Sequence, residues 1–492
     1  MPKKLYLETF GCQMNVLDSE LVLGQLRAQG YESTDNRDAA DVIIYNTCSV
    51  REHAEQKVWS RLGELRDRKK EEPNLVIGVI GCMAEREGID LFKRNPHVDI
   101  LCGPAELDKL PALVHNATVA RPDRFSDQEE RQVALMGNTV RRSSTLQVAR
   151  DDLEMLDLSR SISASDDVRR SYVRITRGCN KFCTYCVVPH TRGPEVHRPP
   201  QNIIEEVRKL VDNGAIEVTL LGQTVNHYAY DHGDGRRTTF ADLLYQVHEA
   251  TPDLPRLRFV TSYPRDFTVE ALQAMRDCSR ICRYLHVPAQ HGSNRILKLM
   301  NRGYTIEQYR EFVDRARELM PDVSLVSDFI VGFPTETDEE FETCVDIVRY
   351  AKFKNSFIFK YSPRPGTIAI DRFEDDIPED VKRRRNNRLL DVQGEIIAEG
   401  NQQLIGKTLE VIVEGESKLA AKPQAASGVE LGAGFRRRFG SDEKTTQLVA
   451  RTRGDQIVCF DGDPSLINQI IDLQITDARR MTLFGKRVEV SV

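Results

Sequence analysis

Residues 178–186 read GCNKFCTYC, with three cysteines in the spacing Cys-x3-Cys-x2-Cys. A loop this short allows the thiolates of Cys179, Cys183 and Cys186 to turn inward onto one metal centre. Cysteine thiolates hold iron–sulfur clusters, and a cubic 4Fe-4S cluster bound through three cysteines keeps one iron open for a substrate. Two alternatives are open at this point: three buried packing thiols, or a zinc site that His190 completes as Cys3His.

The composition is that of an ordinary globular protein. The chain has 492 residues and a formal net charge of −6, which predicts about three domains and only local basic patches for any nucleic acid. The N-terminus MPKKLYLETFGC lacks the apolar core of a signal peptide, and no run approaches the roughly 18 apolar residues of a membrane span. We therefore expect a cytoplasmic protein whose eleven cysteines serve metal binding or catalysis rather than disulfides.

The sequence pattern predicts three domains and one connector. Residues 1–118 and 169–398 alternate apolar strand candidates with helical stretches, which is typical of α/β domains, and residues 119–168 form a polar, charged connector. Residues 402–489 contain short strands without long helices, which predicts a small β-barrel. We expect an inserted loop over about residues 418–444 and a last strand at residues 486–492, KRVEVSV.

In the N-terminal domain, four strand candidates separated by helical patterns predict a parallel sheet. Cys12, Cys48 and Cys82 follow three of these strands and are 36 and 34 residues apart, about one βα repeat each. The carboxyl ends of parallel strands share one edge of the sheet, so three sulfurs can meet there. The alternative is three unrelated buried thiols. Cys102 precedes rather than follows its glycine, and we predict that it is not a ligand.

In the central domain, about six βα units predict a partial barrel with its chemistry at the carboxyl ends of the strands. The strand candidates are residues 172–175, 218–221, 258–260, 284–287, 324–331 and 356–359. Residues at or just after these strands are either functional or simple turn formers: Gly222, Gln223, Ser262, Gln290 and Asp328. Basic residues near the predicted open face either bind RNA phosphates or are solvated: Arg192, Arg198 and Arg364.

GCNKFCTYC resembles the signature of radical S-adenosylmethionine (SAM) enzymes, in which an aromatic residue precedes the third cysteine. Its continuation VVPHTRGPEVHRP, with ETFGCQMN, NTCSVRE and GCMAER, resembles the MiaB-type tRNA branch of the radical SAM methylthiotransferase family. That branch tends to have Tyr where His190 stands, which weakens the zinc interpretation. The resemblance implies an α/β fold with an N-terminal parallel-sheet domain, a central radical SAM partial TIM-like barrel and a C-terminal TRAM β-barrel.

The resemblance also implies an activity, the methylthiolation of C2 of N6-isopentenyladenosine at position 37 of tRNA. It implies S-adenosylmethionine and two 4Fe-4S clusters, a SAM-coordinating one on Cys179, Cys183 and Cys186 and an auxiliary one on Cys12, Cys48 and Cys82. SAM-site residues are implied at Tyr185, Gly222, Gln223, Ser262, Gln290 and Asp328. The expected partners of this monomer are the anticodon loop of tRNA and a separate electron donor, with no membrane.

Two alternative functions are open. A sister methylthiotransferase would act on threonylcarbamoyladenosine tRNA or on a ribosomal protein. From another class, the chain could be a non-catalytic iron–sulfur RNA-binding protein. The segment LLGQTVN at residues 220–226 resembles the isopentenyl type and therefore favours methylthiolation of N6-isopentenyladenosine over both alternatives.

Overall fold

The computed structural model describes residues 2–49, 52–119, 131–136, 151, 153–163, 166–417 and 446–488. The chain divides into two compact units. The first consists of Met1–Ala274, Arg295–Tyr304 and Ser362–Asp376, and the second of Met275–Asn294, Thr305–Tyr361 and Ile377–Val492. Among the described residues, no helix combines the length and apolar character needed to cross a membrane.

The N-terminal sheet of the first unit is parallel, as predicted, but it has six strands rather than four. They are β1 (Lys4–Phe10), β2 (Glu32–Ser33), β3 (Val42–Thr47), β4 (Val76–Gly81), β5 (Ile100–Cys102) and β6 (Gln132–Ala134), in the order β2-β1-β3-β4-β5-β6. β3 and β4 are buried along their whole length, as expected for parallel strands covered on both faces. The helices of this region are Gln13–Ala28, Glu52–Glu71, Cys82–Glu87, Asp90–Arg94 and Leu110–Val119.

The predicted connector at residues 119–168 carries more structure than its polar composition suggests. β6 lies inside it and pairs with β5 at the edge of the N-terminal sheet. Residues 153–158 are helical, which agrees with a short helical turn in this stretch. The connector therefore contributes an edge strand and a helix to the first unit.

The central region contains two separate three-stranded parallel sheets, one in each unit. The strands of the first unit's sheet are β7 (Arg170–Arg174), β10 (Glu217–Leu221) and β13 (Arg256–Phe259), in the order β13-β10-β7. Those of the second unit's sheet are β14 (Tyr284–His286), β15 (Ser324–Val331) and β16 (Asn355–Lys360), in the order β14-β15-β16. All six correspond to predicted strands. Two short antiparallel ribbons join β8 (Thr176–Arg177) to β9 (Val196–His197) and β11 (Ala229–Asp231) to β12 (Arg237–Thr239).

The structure describes nine α-helices after residue 169, and the sequence marks the start of three of them with a capping box. They are Val188–Arg192, Pro200–Asp212, Phe240–Ala250, Val269–Asp277, Asn294–Leu299, Ile306–Leu319, Asp338–Ala351, Ile368–Arg372 and Glu379–Gln402. Three of them start with a capping box, in which the N-cap threonine and the third helical residue bond to each other's backbone N–H groups. These N-caps are Thr239, Thr305 and Thr337.

The C-terminal strands form a closed barrel, as predicted. They are β17 (Thr408–Glu416), β18 (Thr446–Thr452), β19 (Ile457–Gly462), β20 (Ile470–Arg479) and β21 (Thr482–Arg487). The last strand begins at Thr482 rather than at the predicted residue 486, because a tight hairpin pairs Thr482 with Arg479. Residues 489–492 and the predicted insertion at 418–444 lie outside the described residues.

Candidate metal centres

A two-stranded ribbon, β8 paired with β9, closes the cysteine loop at residues 178–186. The backbone N–H of Cys179 donates to the carbonyl of Gly193 at 3.2 Å. Gly178 has a φ of +62°, and a Cβ atom there would lie 2.1 Å from the carbonyl oxygen of Pro194. Only glycine accommodates this approach, so the glycine before the first cysteine fixes where the loop begins.

Hydrogen bonds hold the rest of the loop against the segment that follows helix Asn294–Leu299. The N–H of Cys186 donates to the Cys183 carbonyl at 3.0 Å and closes a turn between the second and third cysteines. Thr184 donates its N–H to the Met300 carbonyl at 3.1 Å and its Oγ1 to the Leu299 carbonyl at 2.9 Å. These hydrogen bonds fix the backbone conformation of the cysteine loop without a bound metal.

Arg302 is a site residue that the sequence analysis missed. Its Nη1 donates to Cys183 Sγ at 3.3 Å and lies 3.5 Å from the Tyr185 hydroxyl. Its guanidinium stacks over the Tyr263 ring at 4.6 Å from the centroid, and its Nε donates to the Tyr304 hydroxyl at 3.1 Å. Arg302 is 119 residues from Cys183, and no spacing in the sequence connects them. A buried cation therefore contacts the sulfur of the second cysteine.

Burial keeps two of the three loop thiols protonated in the metal-free chain. It raises the pKa of Cys179 to about 11 and that of Cys186 to about 12. Metal ligation requires the thiolate, so metal binding at this loop displaces protons.

The zinc interpretation with His190 gains no support from the geometry. Three thiolates on one zinc ion, with Zn–S bonds of about 2.3 Å, would lie about 3.8 Å apart. In the described part of the chain, one group of three ligating side chains has all its donor atoms within 4.8 Å, and it includes neither His190 nor any cysteine. His190 is exposed on helix Val188–Arg192.

Strand register brings Cys12, Cys48 and Cys82 to one edge of the N-terminal sheet. Phe10 of β1 is opposite Thr47 of β3, and Thr47 is opposite Gly81 of β4. Each cysteine follows its strand by one or two residues, so the three begin from the same level of the sheet. The Cys48 N–H also donates to the Phe10 carbonyl at 2.9 Å.

Two asparagines and two glycines support this edge. Asn15 Nδ2 donates to Asn46 Oδ1 at 2.8 Å, and Cys12 Sγ donates to Asn15 Oδ1 at 3.2 Å. Gly81 has a φ of +90°, and a Cβ atom there would lie 2.4 Å from Asn46 Oδ1. A Cβ atom at Gly11 would lie 3.0 Å from the Cys48 Cβ, so the two cysteine loops nearly touch. The asparagines belong to the motifs QMN and NTC, which could have indicated their role.

The positive charge of Arg192 acts on two of the N-terminal thiols and links them to the loop at residues 178–186. A hydrogen bond with Cys48 and the charge of Arg192 lower the pKa of Cys12 to about 5. Burial raises the pKa of Cys82, and Arg192 opposes that rise. Helix Val188–Arg192 follows Cys186 closely and packs on helix Cys82–Glu87. The two cysteine trios therefore lie in the same compact unit, connected by one short helix.

The predicted RNA contacts of Arg192 and Arg198 are wrong, because both side chains are buried in ion pairs. Arg192 Nη2 donates to Asp18 Oδ2 at 2.9 Å. Arg198 is 1% exposed and donates to Glu154 Oε2 at 2.9 Å and to Glu206 Oε2 at 2.7 Å. Neither guanidinium is exposed enough to contact an RNA phosphate.

The RNA contact expected for Arg364 remains a prediction. Its Nη1 lies 3.5 Å from Glu55 Oε2, and its side chain is 13% exposed. A phosphate would have to compete with that carboxylate for the guanidinium.

In the first unit, the predicted SAM-site residues lie at the carboxyl ends of strands. Gly222 follows β10, and a Cβ atom there would lie 2.3 Å from Thr176 Cγ2, so close packing against β8 requires this glycine. Gln223 is next to it and partly exposed. Ser262 follows β13; its Oγ is buried without a hydrogen-bond partner among the described residues. Such an orphaned hydroxyl is expected at a ligand site.

In the second unit, Gln290 and Asp328 are neighbours. The Gln290 N–H donates to the Asp328 carbonyl at 2.9 Å, and Gln290 has a left-handed φ of 68°. Within the described chain, the side-chain Oε1 of Gln290 is buried without a hydrogen-bond partner. His286 Nε2 lies 3.0 Å from Asp328 Oδ1. These two residues therefore offer polar atoms for a ligand within this unit.

Two stretches of the chain match known protein families. Residues 4–103 match the Uncharacterized protein family UPF0004, and residues 173–348 match the Radical SAM superfamily. The fold is similar to that of the radical S-adenosylmethionine methyltransferase TsrM from Kitasatospora setae, with a TM-score of 0.54 and 16% identity over 75% of this chain and 74% of that one. The predicted α/β architecture is thereby confirmed, and the class of protein is radical SAM.

Full-length relatives identify the branch within this class. The tRNA-2-methylthio-N(6)-dimethylallyladenosine synthase of Rhodopirellula baltica is 44% identical over 100% of this chain and 97% of its own length. Those of Syntrophotalea carbinolica and Neisseria meningitidis serogroup C are 39% and 40% identical, each over 99% of this chain and 100% of their own length. The chain belongs to the tRNA-2-methylthio-N(6)-dimethylallyladenosine synthase family, as its motifs predicted.

Proposed function

We propose that this protein methylthiolates C2 of N6-isopentenyladenosine at position 37 of tRNA, giving 2-methylthio-N6-isopentenyladenosine. The observation that carries the proposal is the placement of two cysteine trios in one compact unit, joined by the helix that ends at Arg192. A reaction that needs both a radical initiator and a sulfur source requires two such centres close together. The names of the full-length relatives agree with this reaction.

The donor sets fit two 4Fe-4S clusters and SAM. Cys179, Cys183 and Cys186 would hold the SAM-coordinating cluster and leave one iron open, and the N-terminal trio would hold the auxiliary cluster. Within the first unit, the buried Ser262 Oγ, which has no hydrogen-bond partner among the described residues, suits a polar ligand such as SAM. The cofactors supply one-electron chemistry, which an inert aromatic C2–H bond needs and acid–base side chains cannot provide.

The chain's own residues hold and tune these centres. Arg302 donates a hydrogen bond to Cys183 Sγ and places a positive charge beside it. Asn15 Oδ1 contacts the protonated Cys12 thiol at 3.2 Å, whereas the charge of Arg192 favours the thiolate forms of Cys12 and Cys82. The two arginines therefore place positive charge beside three of the proposed ligand sulfurs, Arg302 at Cys183 and Arg192 at Cys12 and Cys82.

Exposed aromatic side chains in the second unit suit an unstacked base. Phe357 and Phe359 on β16 are 42% and 40% exposed, and Phe357 is directly opposite Asp328 in the sheet. Exposed aromatic rings are platforms on which nucleobases stack. C2 of an adenine becomes accessible only when the base leaves its stack, which is easiest in a single-stranded loop. The anticodon loop of tRNA is therefore the substrate we propose.

The remaining parts of the proposal concern the setting of the reaction. We infer that the enzyme works in the cytoplasm as a monomer and receives electrons from a separate donor. We also infer that the closed C-terminal barrel, which has the size and topology class of RNA-binding β-barrels, holds the tRNA.

The test is nucleoside analysis by mass spectrometry of tRNA from a strain that lacks this protein. The strain should accumulate isopentenyladenosine, and the wild-type chain should restore the methylthio product. Cys183→Ala should restore none, whereas the matched control Cys102→Ala, at a thiol bonded to the Glu106 carbonyl, should restore it. Loss of a methylthio-threonylcarbamoyl product or of a modified ribosomal protein instead would refute the substrate. Failure of the reduced protein to cleave SAM would leave a non-catalytic RNA-binding protein.

A further inference from the structure

Glu195, His197 and His227 lie together beside the cysteine loop, although no motif in the sequence indicates them. One donor atom from each residue lies within 4.8 Å of the other two. Two imidazoles and a carboxylate bind divalent transition metals and leave a position open for water. We propose that these three residues bind a divalent transition metal ion, with zinc as the best match, at a site separate from both cysteine trios.

The donor atoms are close to the spacing that a metal ion requires. Zinc bonds to imidazole nitrogen and carboxylate oxygen are about 2.0–2.2 Å long, so ligand atoms around a tetrahedral ion lie roughly 3.4 Å apart. His227 Nδ1 is 2.5 Å from Glu195 Oε2, somewhat closer than this, and the widest separation in the group is within 4.8 Å. Shifts of about 1 Å, which small rotations about side-chain bonds allow, bring all three to a common ion.

Neighbouring residues hold Glu195 and His197 in position, as outer contacts usually do for metal ligands. Thr224 Oγ1 donates to Glu195 Oε1 at 2.7 Å, which leaves Oε2 for a second partner. The backbone N–H of Glu195 donates to Asn180 Oδ1 at 3.1 Å. The ring of Tyr228 packs edge-on against His197, with centroids 5.5 Å apart. Such outer contacts fix the direction of metal-binding side chains.

A simple ion pair between His227 and Glu195 explains only part of this arrangement. An ion pair needs one imidazole, whereas the ring of His197 lies 6.1 Å from that of His227 and adds a second. The side chain of Glu195 is 2% exposed and that of His227 is 42% exposed. A metal ion can therefore enter from solvent and reach a carboxylate that is already shielded.

The bound ion would join two segments of the first unit. Glu195 is attached through Asn180 to the cysteine loop next to Cys179, and His227 belongs to the segment after β10. The ion would fix these segments relative to each other and stabilise the end of the cysteine loop. It would be structural and take no part in group transfer.

The experiment is equilibrium dialysis of the holoprotein, with its iron–sulfur clusters reconstituted, against zinc in the presence of a competing chelator. Wild type should bind one zinc ion per chain. His197→Ala and His227→Ala should each weaken binding about 100-fold or more, since even outer contacts change affinity by about 10–100-fold. The matched control is His190→Ala, an exposed histidine of the same region, and should bind zinc as wild type does. Iron content, measured in every sample, must stay unchanged.

Zinc K-edge X-ray absorption of wild type separates this site from adventitious binding at cysteines. We expect a first shell of nitrogen and oxygen with two imidazoles. Sulfur in that shell would overturn the proposal. It would also be overturned if wild type held no zinc, or if His190→Ala weakened binding as much as His197→Ala.

Discussion

Arg302 allows a direct test of how the chain tunes the proposed SAM-coordinating cluster. Its Nη1 lies 3.3 Å from Cys183 Sγ, and its guanidinium is buried over the Tyr263 ring. A hydrogen bond and a positive charge at a ligand sulfur stabilise the reduced, more negative state of a cluster. We predict that Arg302→Met, which keeps an unbranched apolar side chain but removes both, lowers the reduction potential of this cluster.

The size of the shift follows from the single charge-assisted contact. A hydrogen bond to a charged group contributes about 1.5–3 kcal/mol. If roughly half of it depends on the oxidation state, the reduced cluster loses about 1 kcal/mol of stabilisation. At about 59 mV per tenfold change for one electron, this corresponds to a fall of about 40 mV.

The assay is a redox titration monitored by electron paramagnetic resonance on full-length protein, with the cluster identified by its spectral response to SAM. The matched control is Tyr304→Phe, which removes the hydroxyl that Arg302 Nε contacts but leaves the bond to Cys183. Its potential should stay within about 10 mV of wild type, a quarter of the expected shift. An unchanged or higher potential in Arg302→Met would refute the reasoning.

Three further predictions concern the surroundings of the two trios. Asp18→Asn removes the carboxylate that lies 2.5 Å from Arg174 Nη2 and 2.9 Å from Arg192 Nη2, both in buried guanidiniums. This change should lower the unfolding free energy by about 3–5 kcal/mol. A loss below about 1 kcal/mol, measured by unfolding in denaturant, would contradict the prediction. Gly178→Ala drives a methyl group into a carbonyl and should halve the iron content after reconstitution, whereas full loading would show that the loop tolerates it. In cluster-free protein, the pKa of Cys12 is lowered to about 5 by the hydrogen bond from Cys48, and that of Cys179 is raised to about 11 by burial. At pH 7, iodoacetamide should therefore alkylate Cys12 at least about tenfold faster, and equal rates in peptide mapping would argue against these shifts.

The sequence predicted the strands and the cysteine positions because both depend on short-range patterns. Apolar runs separated by helical stretches located the six central strands, and parallel register then placed Cys12, Cys48 and Cys82 at one edge. Local glycines carried information as well, since Gly178 and Gly81 occupy conformations that other residues avoid. The last strand of the C-terminal barrel was misplaced because hairpin pairing, not β propensity, decides where it begins.

Contacts between distant segments could not be predicted from one sequence. Arg198 follows the cysteine loop and suggested a phosphate contact, but Glu154, 44 residues earlier in a polar connector, neutralises it. Arg302 contacts Cys183 across 119 residues. In both cases the partner is fixed by tertiary packing, so neither residue type nor spacing indicates it.

Iron and sulfide analysis of three proteins tests the central claim most directly, namely that two cysteine trios hold two separate clusters. Wild type should contain about eight irons and eight sulfides per chain, since each cluster has four of each. Replacing Cys12, Cys48 and Cys82 with alanine should leave about four, and so should replacing Cys179, Cys183 and Cys186; only the first of these proteins should still cleave SAM. A wild-type content of about four, or a trio variant that keeps about eight, would contradict the account.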